Sequence, residues 1–308
     1  MILILGVTAS GKSRLGFDLV RKIGGEIVSV DSMKVYRHMD VGTAKPSLER
    51  QKAVKHHLID VVDPDKSFSV GTFLDMAEDA FGQIKAADKP VIAVGGTAMY
   101  IKTMLFGLFE GPPADEEIRE KLIKQIEAEG SWPLHDKLKK IDPEAGERIH
   151  PNDQRRIVRA LEVYEITGKP ISSFQQQFDA PQPLKDWTII GLRREKEIES
   201  GRINLRVKKM IDAGLIDEVK SLLENYTLSR QAASAIGYAE IIEHLKGNIE
   251  LGKAIENIKV NTRRLAKGQR TWFKTFKDVN WIECTEESSP EEILEKALSI
   301  GNLSDIMQ

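Results

Sequence analysis

The sequence predicts an α/β fold, a parallel sheet flanked by helices and interrupted by an all-helical insertion. Three observations carry this prediction. Over the first hundred residues, short apolar and β-branched runs alternate with segments of helical period. This is the pattern of βα units in a parallel, right-handed sheet. A glycine-containing turn joins the first such run to the first helical segment. After Gly107 only helical patterns follow, until a strand-like run returns near Trp187.

Residues 1–5 are a continuous apolar run ending at Gly6. Residues 13–23 follow as a helix with Leu15, Leu19, Val20 and Ile23 on one face. Residues 26–30 are short and β-branched, as expected of a buried parallel strand. Residues 58–62 are a weaker strand candidate. Residues 70–86 are helical, with Phe73, Met76, Ala77, Ala80, Phe81 and Ile84 at helical spacing. Residues 90–94 form a further strand, closed by Gly95-Gly96. Glu110-Gly111-Pro112-Pro113 then breaks the alternation. Helices are predicted over 115–129, 133–141 and 153–167, the last stopped by Gly168-Lys169-Pro170. Gln175-Gln176-Gln177, Pro181 and Pro183 mark a polar connection, and 187–192 is again a strand. The final third is helical over 202–213, 215–224, 238–245 and 251–276, with a last strand at 279–284 and a last helix at 289–299. The expected domains are a core of 1–110 and 185–308, and a helical insertion of 111–184.

Composition excludes several classes. With 41% hydrophobic and 30% charged residues, the chain is neither disordered nor a membrane span, since charges interrupt every apolar run. Cys284 is the single cysteine, which excludes a disulfide framework and a cysteine-based zinc site. The N-terminus lacks the basic flank and cleavage site of a signal peptide, so a cytoplasmic address is expected. The net charge of −2 names no partner, so charge has to be read locally.

Gly6-Val7-Thr8-Ala9-Ser10-Gly11-Lys12-Ser13 reads G-x-x-x-x-G-K-[ST], between an apolar strand and an amphipathic helix. That is the context a phosphate-binding loop requires, and it makes the fold P-loop NTPase-like. Backbone amides would form a nest for an anion, aided by the helix N-terminus. Lys12 adds a full charge, and the Ser13 hydroxyl can hold a metal ion. The acid that usually holds magnesium at a second strand end is missing after 91–94, where Gly95-Gly96-Thr97 stands instead. Asp31, directly after the 26–30 strand, is the best-placed acid. In a parallel sheet it would lie with the phosphate loop at the carboxyl ends of the strands. A plain turn cap is the competing role for Asp31.

Residues 258–277 contain Lys259, Arg263, Arg264, Lys267, Arg270, Lys274 and Lys277 without one acid, interleaved with Trp272, Phe273 and Phe276. Arg202, Arg206, Lys208 and Lys209 form a second basic stretch, and Arg155, Arg156 and Arg159 a third. Three basic patches exceed what a small nucleotide needs and suggest a polyanion. His56-His57 is not a chelating pair, because adjacent strand residues face opposite ways. A turn or core role is expected for both.

These motifs occur in a familiar order. The phosphate loop precedes Asp31-Ser32-Met33-Lys34-Val35-Tyr36, Asp40-Val41-Gly42-Thr43-Ala44-Lys45-Pro46 and His56-His57. Gly95-Gly96-Thr97-Ala98 and Asn152-Asp153-Gln154-Arg155-Arg156-Ile157-Val158-Arg159 follow. Arg202-Ile203-Asn204-Leu205-Arg206, Ala235-Ile236-Gly237-Tyr238 and the segment from Thr262 to Trp272 complete the set. Across nearly its whole length the chain resembles the tRNA dimethylallyltransferase family, also called tRNA isopentenyltransferases. The resemblance implies transfer of a dimethylallyl group from dimethylallyl diphosphate to N6 of the adenosine just 3′ of the anticodon. It further implies that residues 6–13 hold the prenyl diphosphate with Mg2+, metal-bound through Ser13. Asp31 would be the general base, Thr97 would touch the acceptor nucleotide and Arg206 the diphosphate. Asp31, Ser32, Met33, Lys34, Thr97, Arg119, Arg155, Arg156, Ile157, Val158 and Arg159 would contact the anticodon loop of tRNA. A monomer is expected. The chain departs from the family at Val7 (often Pro), Lys34 (often Gln), Ala98 (often Gly) and Gly268 (usually basic). On the residues alone, a small-molecule kinase and a non-catalytic RNA-binding protein remain alternatives.

Overall fold

The computed structural model describes residues 1–108, 111–174 and 183–300. Glu110 of the breaker cluster, and Gln175, Gln176, Gln177 and Pro181 of the polar connection, lie outside the described residues. The chain forms two compact units: Met1–Met104 with the chain from Lys185, and Leu105–Leu184.

The first unit opens with β1 (Ile2–Gly6), α1 (Lys12–Ile23), β2 (Glu26–Val30), α2 (Leu48–Ala53), β3 (His56–His57), α3 (Val70–Ala86), β4 (Val91–Gly95) and α4 (Ala98–Phe106), the last running into the second unit. The second unit continues with α5 (Glu116–Glu129), α6 (Trp132–Ile141), α7 (Pro143–Arg148) and α8 (Gln154–Thr167), then a 3-10 turn at Ile171–Phe174. The chain returns through β5 (Thr188–Arg193), α9 (Lys196–Asp212), α10 (Leu215–Asn225), α11 (Arg230–Ala233), α12 (Tyr238–Leu245), α13 (Leu251–Phe273), β6 (Val279–Glu283) and α14 (Pro290–Ser299).

The six strands form one parallel sheet in the order β3-β2-β4-β1-β5-β6. Every residue of β1, β2 and β4 is buried, which is why β1 and β4 read as unbroken apolar runs; in β2 the burial includes Glu26 and Ser29. α1 starts at Gly11, whose φ of 108° is open to glycine, and buries Leu15, Leu19, Val20 and Ile23. α3 is capped by Ser69, which accepts the Thr72 N–H, and buries Phe73, Ala77, Ala80, Phe81 and Ile84. The helical unit has its own core, in which Leu122, Ile126, Leu138, Ile157 and Leu161 meet.

Three expectations need correction. The strand beside β2 is His56–His57, not 58–62. Leu58 and Asp60 are left-handed (φ 61° and 56°), which ends the strand, and Val62 keeps only an isolated bridge to Tyr36. α9 begins at Lys196, six residues before the expected start, with Glu197 and Glu199 in its first turn. α4 follows Thr97 where no helix was expected, and the short helices α2, α7 and α11 were likewise not expected.

Among the described residues no helix is long and apolar enough to cross a membrane.

Candidate active site

Register places the chemistry. β2, β4 and β1 are neighbours in the sheet, with Val30 opposite Gly95 and Gly95 opposite Leu5. Their carboxyl ends therefore deliver Asp31, Gly96-Thr97 and the phosphate loop side by side, where parallel sheets bind ligands.

The loop itself is compact. Ser10 N–H donates to Val7 O at 3.2 Å, and a Cβ on Gly6 would sit 2.6 Å from Ser10 Oγ. Lys12 Nζ donates to Val7 O at 3.1 Å. An ammonium has three donors, so that single bond leaves others for a ligand. Burial, and then the charges of Lys34 and Arg206, push Lys12 down to about 7, while Asp31 offsets part of the shift. Such a lysine gains from any anion that enters.

Three consecutive loop residues are held by side chains that follow β5 in the chain. Thr8 N–H donates to Gln269 Oε1 at 2.9 Å, Arg202 Nε to Ala9 O at 2.7 Å, and Arg194 Nε to Ser10 O at 2.9 Å.

Two adjoining cavities flank the loop. The larger, about 690 Å³, is lined by Gly11, Lys12, Ser13, Arg202, Arg206 and Lys209, and closed by residues 40–48. The smaller, about 280 Å³, is lined by Ser13 and Lys34 and by the apolar Phe17, Ile27, Ile59 and Val94. The wall over residues 40–42 is fixed by Glu218. Its carboxylate accepts Asp40 N–H at 2.9 Å, Val41 N–H at 2.7 Å, Gly42 N–H at 3.1 Å and Tyr238 O–H at 2.6 Å. Gly42 lies on the Tyr238 ring, where a Cβ would come within 2.4 Å. Arg206 Nη2 donates to Thr43 O at 3.3 Å.

Asp31 caps the turn that follows β2. Oδ1 accepts Met33 N–H at 2.9 Å and Lys34 N–H at 3.3 Å. Ser32 N–H donates to Thr97 Oγ1 at 3.0 Å, joining the β2 and β4 ends. Lys34, where Gln is frequent in the resembling family, carries its ammonium beside Lys12 and Arg206; burial lowers its pKa, partly offset by Asp31.

The arginines of the helical unit divide into two kinds. Glu162 is fully buried and accepts Asp115 N–H at 2.7 Å, Arg119 Nε at 2.9 Å and Arg159 Nη1 at 2.6 Å. Arg159 also donates to Pro112 O at 2.8 Å. Arg155 and Arg156 are exposed, with Arg156 near its own helix cap Asp153 at 3.4 Å. Ile157 and Val158 are buried in the core, so their side chains hold the helix rather than face a ligand.

The basic run on α13 is largely engaged within the protein. Lys259 pairs with Glu256, Arg263 donates to Asn204, Arg264 to Asn261, and Arg270 pairs with Glu199. Lys267, Lys274 and Lys277 are exposed. His57 binds Glu26 at 2.6 Å while His56 donates to Val54 O at 2.7 Å. No group of three or more His, Cys, Asp or Glu able to hold a metal occurs among the described residues.

Sequence reasoning missed Gln269, Glu218 and Glu162. Only Glu162 left a local trace, as one acid on the apolar stripe of a helix, three residues after Arg159.

A family model described as IPP transferase matches residues 34–276. The tRNA dimethylallyltransferase of Thermoanaerobacter sp. (strain X514) is 46% identical over 300 residues, covering 95% of this chain and 94% of that protein. The tRNA dimethylallyltransferase of Geobacter metallireducens is 45% identical over 285 residues, covering 92% of each. Among solved structures, the tRNA isopentenylpyrophosphate transferase of Bacillus halodurans superposes with a TM-score of 0.72 at 39% identity, covering 99% of this chain and 97% of that one. A eukaryotic dimethylallyltransferase acting on tRNA superposes with a TM-score of 0.81 at 29% identity, covering 99% of this chain and 79% of that one. With the matched span, the level of identity and the shared fold in agreement, this chain belongs to the IPP transferase family, that of the tRNA dimethylallyltransferases.

Proposed function

We propose that this protein transfers a dimethylallyl group from dimethylallyl diphosphate to N6 of the adenosine 3′-adjacent to the anticodon in tRNA, releasing diphosphate. The observation that carries this reading is the placement of phosphate loop, Asp31 and Thr97 on three neighbouring strand ends, beside a cavity lined by Lys12 and Arg206.

The chain's residues divide the work. Loop amides, Lys12 and Arg206 hold the diphosphate and stabilise the charge that collects on it as the C1–O bond breaks. Thr97 and the 31–34 turn orient the adenine. Its exocyclic amine is a poor nucleophile, and Asp31 takes the N6 proton as the N6–C1 bond forms. Asp31 Oδ1 is engaged by the turn amides, which holds the carboxylate in place and leaves Oδ2 for the proton. An anticodon loop is single-stranded, so bringing one base to the pocket costs little. Arg155 and Arg156 supply exposed charge for the phosphate backbone of tRNA.

The donor set fits Mg2+ held jointly by protein and substrate. Ser13 lines both cavities and carries one hydroxyl oxygen, the diphosphate would supply further oxygens, and magnesium favours such mixed sites over all-protein cages. Bound there, the ion would help neutralise the leaving diphosphate. The protein is read as a cytoplasmic monomer.

Incubation with unmodified tRNA and dimethylallyl diphosphate, followed by nucleoside analysis, tests the proposal. A prenylated adenosine and free diphosphate are expected. ATP hydrolysis or phosphate transfer without RNA, and no modified nucleoside, would favour a small-molecule kinase instead.

A further inference from the structure

We propose that Gln269 is a positioning residue, which fixes the spacing between the diphosphate-holding loop and the strand end that carries Thr97. The inference rests on the prenyl-transfer reading above and extends it to a side chain on α13 that makes no contact with the reacting atoms.

The side chain is nine-tenths buried and both ends of its amide are engaged. Oε1 accepts Thr8 N–H at 2.9 Å, and Nε2 donates to Gly96 O at 2.8 Å. The orientation is unambiguous, because a flipped amide would set donor against donor at Thr8 and acceptor against acceptor at Gly96. Gly96 has no room for a side chain at this contact: a Cβ there would lie 2.7 Å from Gln269 Nε2 and 3.4 Å from Lys12 Cε. One amide thus spans from the phosphate loop to the residue before Thr97.

The bridge continues toward the general base. Thr97 Oγ1 accepts Ser32 N–H, and Ser32 follows Asp31. Donor loop, bridge, acceptor contact and base form one connected path, within a single compact unit. α13 is itself pinned next door, where Arg270 pairs with Glu199. Bond formation needs C1 and N6 held about 3–3.5 Å apart and aligned, and a misplacement of about 1 Å can cost about 10²-fold in rate. A rigid amide between the two binding walls is suited to hold that geometry. It leaves each separate affinity to Lys12, Arg206 and the arginines of the helical unit.

The test uses the full chain with Gln269→Leu, which keeps bulk without hydrogen bonds. Gln269→Glu is the second variant; it keeps an acceptor for Thr8 but offers no donor to Gly96. Single-turnover rates at saturating tRNA and dimethylallyl diphosphate are measured beside both dissociation constants and thermal melts. Both variants are expected to slow the chemical step by about 10²-fold, with both dissociation constants near wild type. Thr97→Ala should cost less in the Gln269→Leu background than in wild type, since the two act on one geometry. A wild-type rate in folded Gln269→Glu, or a rise confined to the dissociation constant for dimethylallyl diphosphate, overturns the inference; the latter would make Gln269 a brace of the loop alone. Wild type that makes no modified nucleoside would overturn the underlying prenyl-transfer reading, whereas active wild type with unslowed variants overturns this inference only.

Discussion

Replacing Asp31 by Asn separates the turn cap seen in the structure from the general-base role proposed for the same carboxyl group. Oδ1 caps the turn by accepting the N–H groups of Met33 and Lys34, and an asparagine oxygen can accept both. The cap therefore survives, and the stability loss should stay below the roughly 1 kcal/mol that losing such a cap costs. What disappears is the ability to accept a proton. General-base catalysis is worth about 10²–10⁴-fold, or about 3–5 kcal/mol of barrier, so the single-turnover rate should fall by that factor. Lys12, Arg206 and the loop amides keep their places, and losing the Asp31 charge removes both its support for a charged Lys12 and its repulsion of an anion, so the dissociation constant for dimethylallyl diphosphate should stay near wild type, as should that for tRNA. The assay is single turnover at saturating substrates, beside equilibrium binding and thermal melts. A raised diphosphate dissociation constant would reassign Asp31 to metal binding. A normal rate in the folded variant would refute both roles and leave only the cap.

Other outcomes follow from particular groups. In the free protein Lys12 sits at about 7, pushed down chiefly by burial, so above that pH it is neutral and diphosphate binding must take up a proton. Affinity should therefore weaken as pH rises above about 7, and calorimetry in buffers of different ionisation enthalpy should detect the uptake; Lys12→Gln should lose both effects. Glu26 is held at about 2: burial alone would raise it, but hydrogen bonds from Lys89, His57 and Lys55 outweigh that. A depressed carboxyl pKa contributes stability above its unfolded value of 4.5 and loses it as pH falls toward about 2. Glu26→Gln should flatten the acid limb of a urea-midpoint titration over that window, and an unchanged limb would discount the cluster. Glu162→Ala leaves two arginines and the Asp115 amide without their buried partner, so the helical unit should lose about 3–5 kcal/mol in chemical denaturation; Glu162→Gln should lose less. Charge reversal at Arg155 and Arg156 should weaken tRNA binding and flatten its salt dependence while sparing diphosphate binding, as filter binding across salt concentrations would register.

What could be read in advance was what repeats or stays local. β2 and α3 lie where period and β-branching put them, at Glu26–Val30 and Val70–Ala86. α4 escaped notice because AMYIKTMLF is apolar on most sides and shows no polar stripe to mark a helix. β3 is two residues long, too short for any pattern. The placement of Lys12, Ser13 and Asp31 at neighbouring strand ends was legible because the strands and turn around each are written in its immediate neighbours. Gln269 and Glu218 were not: their partners lie 261 and about 176–178 residues away. Charge runs misled in part, since α13 shows how a row of cations can be consumed by partners on the protein itself.

The Glu218 contact has a consequence for how the cavity opens to solvent. Asp40 is largely exposed, yet its amide and the two that follow converge on one carboxylate. In a hydrogen-exchange experiment these three loop amides should be protected well beyond an exposed loop, because releasing them together leaves the carboxylate only the Tyr238 hydroxyl among the partners described above. The wall beside the phosphate loop thus resembles the loop in reverse, a row of amides around an anion that never leaves. The rim of the cavity is braced from within the protein before anything enters it.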